Sequence, residues 1–104
     1  MEKNKIYDNS TYSLKLFIAG NEPNSVKAKE IVQQICETYL RDKFNLDIID
    51  VYEDYKAALD HKIMVVPALI VHSTQIKTTI VGSLNNPENL VKKLGLTFKH
   101  SSDE

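Results

Sequence analysis

The sequence predicts one α/β domain, a four-stranded mixed sheet flanked by helices, in the order strand, helix, strand, helix, strand, strand, helix. Three observations carry that expectation. Leu14, Leu16 and Ile18 alternate with Ser13, Lys15 and Phe17, the two-residue period of a strand. Ala28, Ile31, Val32, Ile35, Cys36, Tyr39 and Leu40 recur at spacings of three and four, which is one apolar stripe of a helix. Asn85-Asn86-Pro87-Glu88 reads as a helix start: a cap, then proline at the first helical position, then an acid for the helix dipole.

The elements follow in chain order. Tyr12 to Ile18 is the first strand, and Ala19-Gly20 ends it. Asn21-Glu22-Pro23-Asn24-Ser25 supplies capping residues, with Asn21 and Asn24 as the two cap candidates and Pro23 tolerated in the first turn. The long helix runs to about Lys43, with Lys27, Lys29, Glu30, Gln33, Gln34 and Glu37 largely off its stripe. Leu46, Ile48, Ile49 and Val51 are nearly continuous, as in a strand covered on both faces. Strand, helix and strand form a βαβ unit, so the first two strands are expected to be parallel. Glu53 to about His61 is a weaker helix, with Tyr55, Ala58 and Leu59 as its short apolar face.

Ile63 to Val71 is strongly apolar but is interrupted by Pro67. A central-strand proline removes a ladder donor, so Pro67 belongs at a strand start, at an edge, or in a tight turn with a cis bond. His72 to Gln75 is the turn of a hairpin, Ile76 to Val81 the fourth strand, and Gly82 its close. Leu90, Val91, Leu94 and Leu96 give the last helix its buried face, and Gly95 stands near its end. With a proline opening the third strand, this is the element order of thioredoxin-like domains. Residues 1–11 read as a polar, disordered leader, 12–97 as the domain, and 98–104 as a polar tail.

Composition narrows the function. The chain has 104 residues, 42% hydrophobic and 26% charged, with a net charge of −1. That balance gives nucleic acid or an anionic membrane no evident attraction. No apolar run approaches the ~20 residues of a membrane helix, and the first ten residues lack a signal-peptide core. The single cysteine, Cys36, allows no internal disulfide, and the expected setting is the reducing cytoplasm.

A thioredoxin uses a Cys-x-x-Cys pair at the start of its first helix, where the helix N-terminus lowers a thiol pKa. Here that place holds Asn21, Glu22, Pro23 and Asn24, and Cys36 falls on the apolar stripe, where core packing is expected. Asp47, Asp50, Glu53 and Asp54 form the densest acidic stretch. Asp47 and Asp50 point to opposite faces of a strand, so a solvated strand end is expected in place of a metal site. His61, His72 and His100 show no ligand spacing. Gly20, Gly82 and Gly95 are too far apart for a phosphate loop. No cofactor, no metal and no enzymatic activity are expected.

Residues 17–28, Phe-Ile-Ala-Gly-Asn-Glu-Pro-Asn-Ser-Val-Lys-Ala, resemble the segment YVAGNTPNSVRA usual in the KaiB family. Ile48-Ile49-Asp50-Val51 resembles that family's VIDV, Lys62 to Leu69 its KILATPTL, and Ile80-Val81-Gly82-Ser83-Leu84 its IIGDL. The resemblance spans about residues 12 to 96. It implies a non-enzymatic clock component that docks on KaiC, a RecA-like ATPase, and there helps sequester or recruit others. A KaiC-like ATPase is thus the implied partner, with a KaiA-like protein or a histidine kinase behind it and a dimer or tetramer as self-associated forms. The family is also metamorphic: a thioredoxin-like state binds the ATPase, and a state with a repacked C-terminal half associates as a tetramer.

On this reading Tyr52, Tyr55, Lys56, His61 and Lys62 form the partner-binding surface, tyrosine being well suited to interfaces. Pro23, Asn24, Pro67, Gly82, Ser83 and Pro87 determine the fold. Ser83 replaces the family's usual Asp, Thr78 and Thr79 stand where Arg-Arg is common, and Glu53-Asp54-Tyr55 where Leu-Lys-Asn is common. The β-branched run Thr78 to Val81 favours strand over helix, and Pro87 suits a helix start better than a strand, so the thioredoxin-like state is the expected resting form. The alternatives are a thiol protein acting through Cys36 and an orphan sensor domain that binds a histidine kinase.

Overall fold

The computed structural model describes residues 11–82 and 84–97. The expected leader, apart from Thr11, and the expected tail, His100 included, lie outside the described residues, as does Ser83. The strands are β1 (Tyr12–Ile18), β2 (Phe44–Asp50), β3 (Ala68–His72) and β4 (Lys77–Val81); the helices are α1 (Pro23–Ile35), α2 (Tyr55–Asp60) and α3 (Pro87–Lys93). The sheet order is β2-β1-β3-β4. β1 and β2 are parallel, while β3 is antiparallel to both β1 and β4, so the sheet is mixed as the sequence predicts. Lys77–Val81 is a strand and Pro87–Lys93 a helix, the thioredoxin-like arrangement.

The two-residue period divides the sheet into two unlike faces. Leu14, Leu16, Ile18, Leu69, Val71 and Ile80 project to one of them and pack with Ala28, Ile31, Val32, Ile35 and Cys36 of the long helix and Leu90, Val91 and Leu94 of the last. That face is the main core. Phe17 and Ala68 are fully buried on the other face, where the His61 ring, just past α2, lies tilted at 54° on Phe17 with 5.6 Å between centroids. Beyond this contact the second face opens to solvent at Ser13, His72, Lys77 and Thr79.

Several boundaries move for local reasons. The cap of α1 is neither Asn21 nor Asn24. Glu22 takes that place, its carboxylate accepting from the Ser25 amide at 3.3 Å, with Pro23 as the first helical residue. The α-helical part stops at Ile35 and continues as a π-helical turn, Cys36–Leu40. Arg41, at φ 48°, ends it. β2 is an edge strand that begins two residues earlier than expected, and its residues are half-buried or exposed, not covered on both faces. The stretch from Ile63 to Pro67 is irregular loop, and the strand starts after a cis Val66–Pro67 peptide. The apolar face expected of α2 is buried only at Ala58; Tyr55 and Leu59 point to solvent. Asn86 caps α3 by accepting from the Asn89 amide at 3.1 Å, with Pro87 first in the helix.

Candidate functional site

The β1–α1 junction is the place where a thioredoxin-like domain would carry its cysteines, and here it is built for structure. Ser25 is completely buried, and its hydroxyl accepts from the Ala19 amide at 2.9 Å, tying the end of β1 to the first turn of α1. A buried backbone N–H needs such a partner. Cys36 lies thirteen residues beyond Pro23, about 20 Å along a helix at 1.5 Å per residue. It is 1% exposed, and burial, with a smaller contribution from the Glu37 carboxylate, pushes its thiol up to about 11. A thiol shifted in that direction is a poor nucleophile at neutral pH, because the thiolate is the reactive form.

Asp50 departs from the expected solvated strand end. One of its carboxylate oxygens accepts from the Gly20 amide at 3.1 Å and the Tyr52 amide at 3.0 Å, bridging the ends of the two parallel strands. Asp47 instead pairs with Lys15 across the strands at 3.6 Å. Among the described residues, no group of three or more His, Cys, Asp or Glu is placed to hold a metal ion.

Asn24, Pro67 and Gly82 meet at a cleft of about 230 Å³ that Val65, Val66, Leu84 and Asn85 complete. Pro23 and Pro87 each open a helix, away from that cleft's walls. The segment from Tyr52 to Val65 is different in kind. Tyr52 is 75% exposed, Tyr55 66%, Leu59 60% and Met64 93%. Tyr55 and Leu59 are four apart on α2, so they share one helix face. Lys56, His61 and Lys62 are exposed among them. The Asp54 carboxylate caps α2 by accepting from the Ala57 amide at 3.1 Å, and His61 Nδ1 donates to the Ala57 carbonyl at 2.9 Å, closing the helix. The tilted His61 ring also covers Phe17, so that histidine has a packing role as well as an exposed edge.

The five residues expected to bind a partner thus lie on one short stretch. Met64 and Val65 belong to an apolar run that Pro67 interrupts, and they lie exposed in the loop before β3. Leu59 was read as buried. The signal was available in principle, since the six residues of α2 are less than two turns long and offer little length to bury both Tyr55 and Leu59.

Fold and surface together define a thioredoxin-like domain with no cysteine at the start of its first helix and with exposed apolar side chains on α2 and the loop that follows. Solved structures share the fold. Thioredoxin from Fasciola hepatica aligns with TM-score 0.67 and 14% identity, covering 88% of this chain and 86% of its own. The N-terminal domain of SasA from Synechococcus elongatus aligns with TM-score 0.62 and 21% identity, covering 83% and 85%. Residues 15–96 match the KaiB domain. The circadian clock oscillator protein KaiB of Acaryochloris marina is 36% identical over 93 residues, 89% of each chain. That of Thermosynechococcus vestitus is 34% identical over 94 residues, 90% of this chain and 87% of its own. The chain belongs to the KaiB family. No helix among the described residues is long and apolar enough to cross a membrane.

Proposed function

We propose that this protein is a non-enzymatic adaptor of circadian clock-like or stress-response signalling that docks on a KaiC-like ATPase through α2 and the loop after it. The observation that carries the reading is that Tyr52, Tyr55, Leu59, Met64 and Val65 are all exposed along one stretch of fourteen residues, with Lys56, His61 and Lys62 exposed among them. Side chains of this size are rarely left in water together on a monomer without a partner. Exposed tyrosines beside charged side chains of both signs, Glu53, Asp54, Lys56, Asp60 and Lys62, suit the anchors and polar rim of a protein interface. Membership of a family whose named relatives are clock oscillator proteins supports a clock-like setting, and a KaiC-like partner is what the family resemblance implies.

The test is co-elution with a KaiC-like ATPase from the same source, in ATP and in ADP. Complex formation is expected in at least one nucleotide state. Tyr55→Ala combined with Leu59→Ala is expected to weaken it at least tenfold while leaving the unfolding midpoint near wild type, because both side chains already face solvent. Failure to co-elute in both states sinks the reading. A KaiA-like protein or a histidine kinase as a further partner, and a dimer or tetramer in the free state, are read out in the same columns.

A further inference from the structure

We propose that the open face of the sheet binds a small phosphate monoester with an apolar body, in the cavity beneath the C-terminal end of α2. The cavity measures about 220 Å³ and is lined by Ser13, Lys15, His61, Ile70, His72 and Lys77. Four of those six side chains are basic or protonatable, and none is a carboxylate, in a chain whose net charge is −1.

Register explains how they meet. Ser13 pairs with His72, and His72 with Lys77, forming one row across β1, β3 and β4. The adjacent row on the same face is Asp47, Lys15, Ile70 and Thr79. His72 and Lys77 stand directly opposite one another, an arrangement that is unfavourable when both are charged and that an anion relieves. Lys15 has a partner in Asp47 at 3.6 Å, but that carboxylate stands on the neighbouring edge strand with its side chain 69% exposed. Among the described residues, no ion pair engages Lys77 or His72.

The wall is preorganised. His61 is held by its Nδ1 hydrogen bond to the Ala57 carbonyl and by the Phe17 ring beneath it. Half-buried Ile70 lies in the row between and gives the cavity an apolar wall. Two lysines acting as point charges, with the Ser13 hydroxyl and the His72 imidazole beside them, suit the oxygens of a phosphate. The Ile70 surface suits a ring or short alkyl group. A volume below the usual ~300–1,000 Å³ of drug-sized sites points to a small molecule and not to a polymer segment. Lys15, His72 and Lys77 lie on the strands, off the α2 surface assigned to the ATPase, and His61 is the residue the two share, so Lys15→Ala and Lys77→Ala test this site without altering that surface.

Titration of the full chain with phenyl phosphate, followed by amide and imidazole NMR at constant ionic strength set with chloride, tests the proposal. Saturable shifts are expected at Ser13, Ile70, His72 and Lys77, with inorganic phosphate at least fivefold weaker and phenol silent. Lys77→Ala and Lys15→Ala are each expected to weaken binding at least fivefold. Lys56→Ala and Lys62→Ala leave it unchanged. The urea midpoint of each variant confirms that it is folded, and Lys77→Ala removes a side chain that has no ion pair among the described residues. Non-saturable shifts, equal binding by Lys77→Ala, or an equal loss in the Lys56→Ala and Lys62→Ala proteins would overturn the site.

Discussion

Cys36 offers the sharpest separation between a binding module and a thiol enzyme. Its thiol is pushed up from 9.0 to about 11, chiefly by burial. At pH 8 a thiol at the lower value is about 9% thiolate and one at the upper about 0.1%, so ionisation alone slows reaction on the order of 100-fold. Access slows it further. With the side chain 1% exposed, a reagent must wait for local or global opening. Opening that costs ~5 kcal/mol, the low end of global stability, lowers the reactive population by three to four powers of ten. The assay follows release of thionitrobenzoate from Ellman's reagent at pH 8 by the native protein and by the protein unfolded in urea. The native rate is expected to be at least 1,000-fold slower. A native rate within tenfold of the unfolded one would refute both the burial argument and the assignment of Cys36 to the core.

The same shift fixes a pH dependence whose sign can be worked out. The raised value means that the unfolded chain loses this proton first as pH rises. The unfolded state then binds fewer protons than the native one, so stability falls with pH. The contribution is intact below about 9 and lost by about 11, in the window between the two values. Two pKa units correspond to about 3 kcal/mol. Cys36→Ala is expected to remove that much of the alkaline loss when urea midpoints are compared from pH 8 to pH 11, leaving whatever the tyrosines and lysines contribute.

Two further substitutions probe the junction that replaces a redox motif. Ser25→Ala deletes the acceptor of the buried Ala19 amide and is expected to cost about 1–3 kcal/mol in urea unfolding; a change under ~0.5 kcal/mol would mean that another group satisfies that amide. Gly20 has φ +54°, and an added Cβ would meet the Tyr52 ring at 3.0 Å. Gly20→Ala is expected to cost about 1–2 kcal/mol from the left-handed backbone and to displace the exposed Tyr52 ring. In a Tyr52→Ala background the ring contribution disappears and the backbone cost stays, so a substitution that is neutral in both backgrounds contradicts the stated geometry.

Much of the architecture was legible because it rests on local rules. The alternation through Leu14, Leu16 and Ile18, the stripe from Ala28 to Leu40, and the Asn86-Pro87 start each specify an element without reference to the rest of the chain. The cap of the first helix was less legible, since Asn21, Glu22 and Asn24 all carry acceptors and only backbone direction selects Glu22. The acidic stretch was misread at Asp50 because a carboxylate at a strand end looks solvated until the neighbouring strand brings the Gly20 amide to it.

The sequence by itself determined the order of elements, the family, and the lack of a cysteine at the start of the first helix, because these depend on residue identity and short-range spacing. Tertiary structure decided which apolar residues remain in water. Tyr55 and Leu59 have the same spacing as a buried stripe, yet in the short α2 Ala58 is the buried residue and the His61 ring covers Phe17, while Tyr55 and Leu59 stay outside. It also decided the basic cavity. Lys15, His61, His72 and Lys77 are scattered along 63 positions of sequence; strand register brings Lys15, His72 and Lys77 to one face, and the end of α2 brings His61 over it. Register depends on pairing between distant segments, which no local pattern reports.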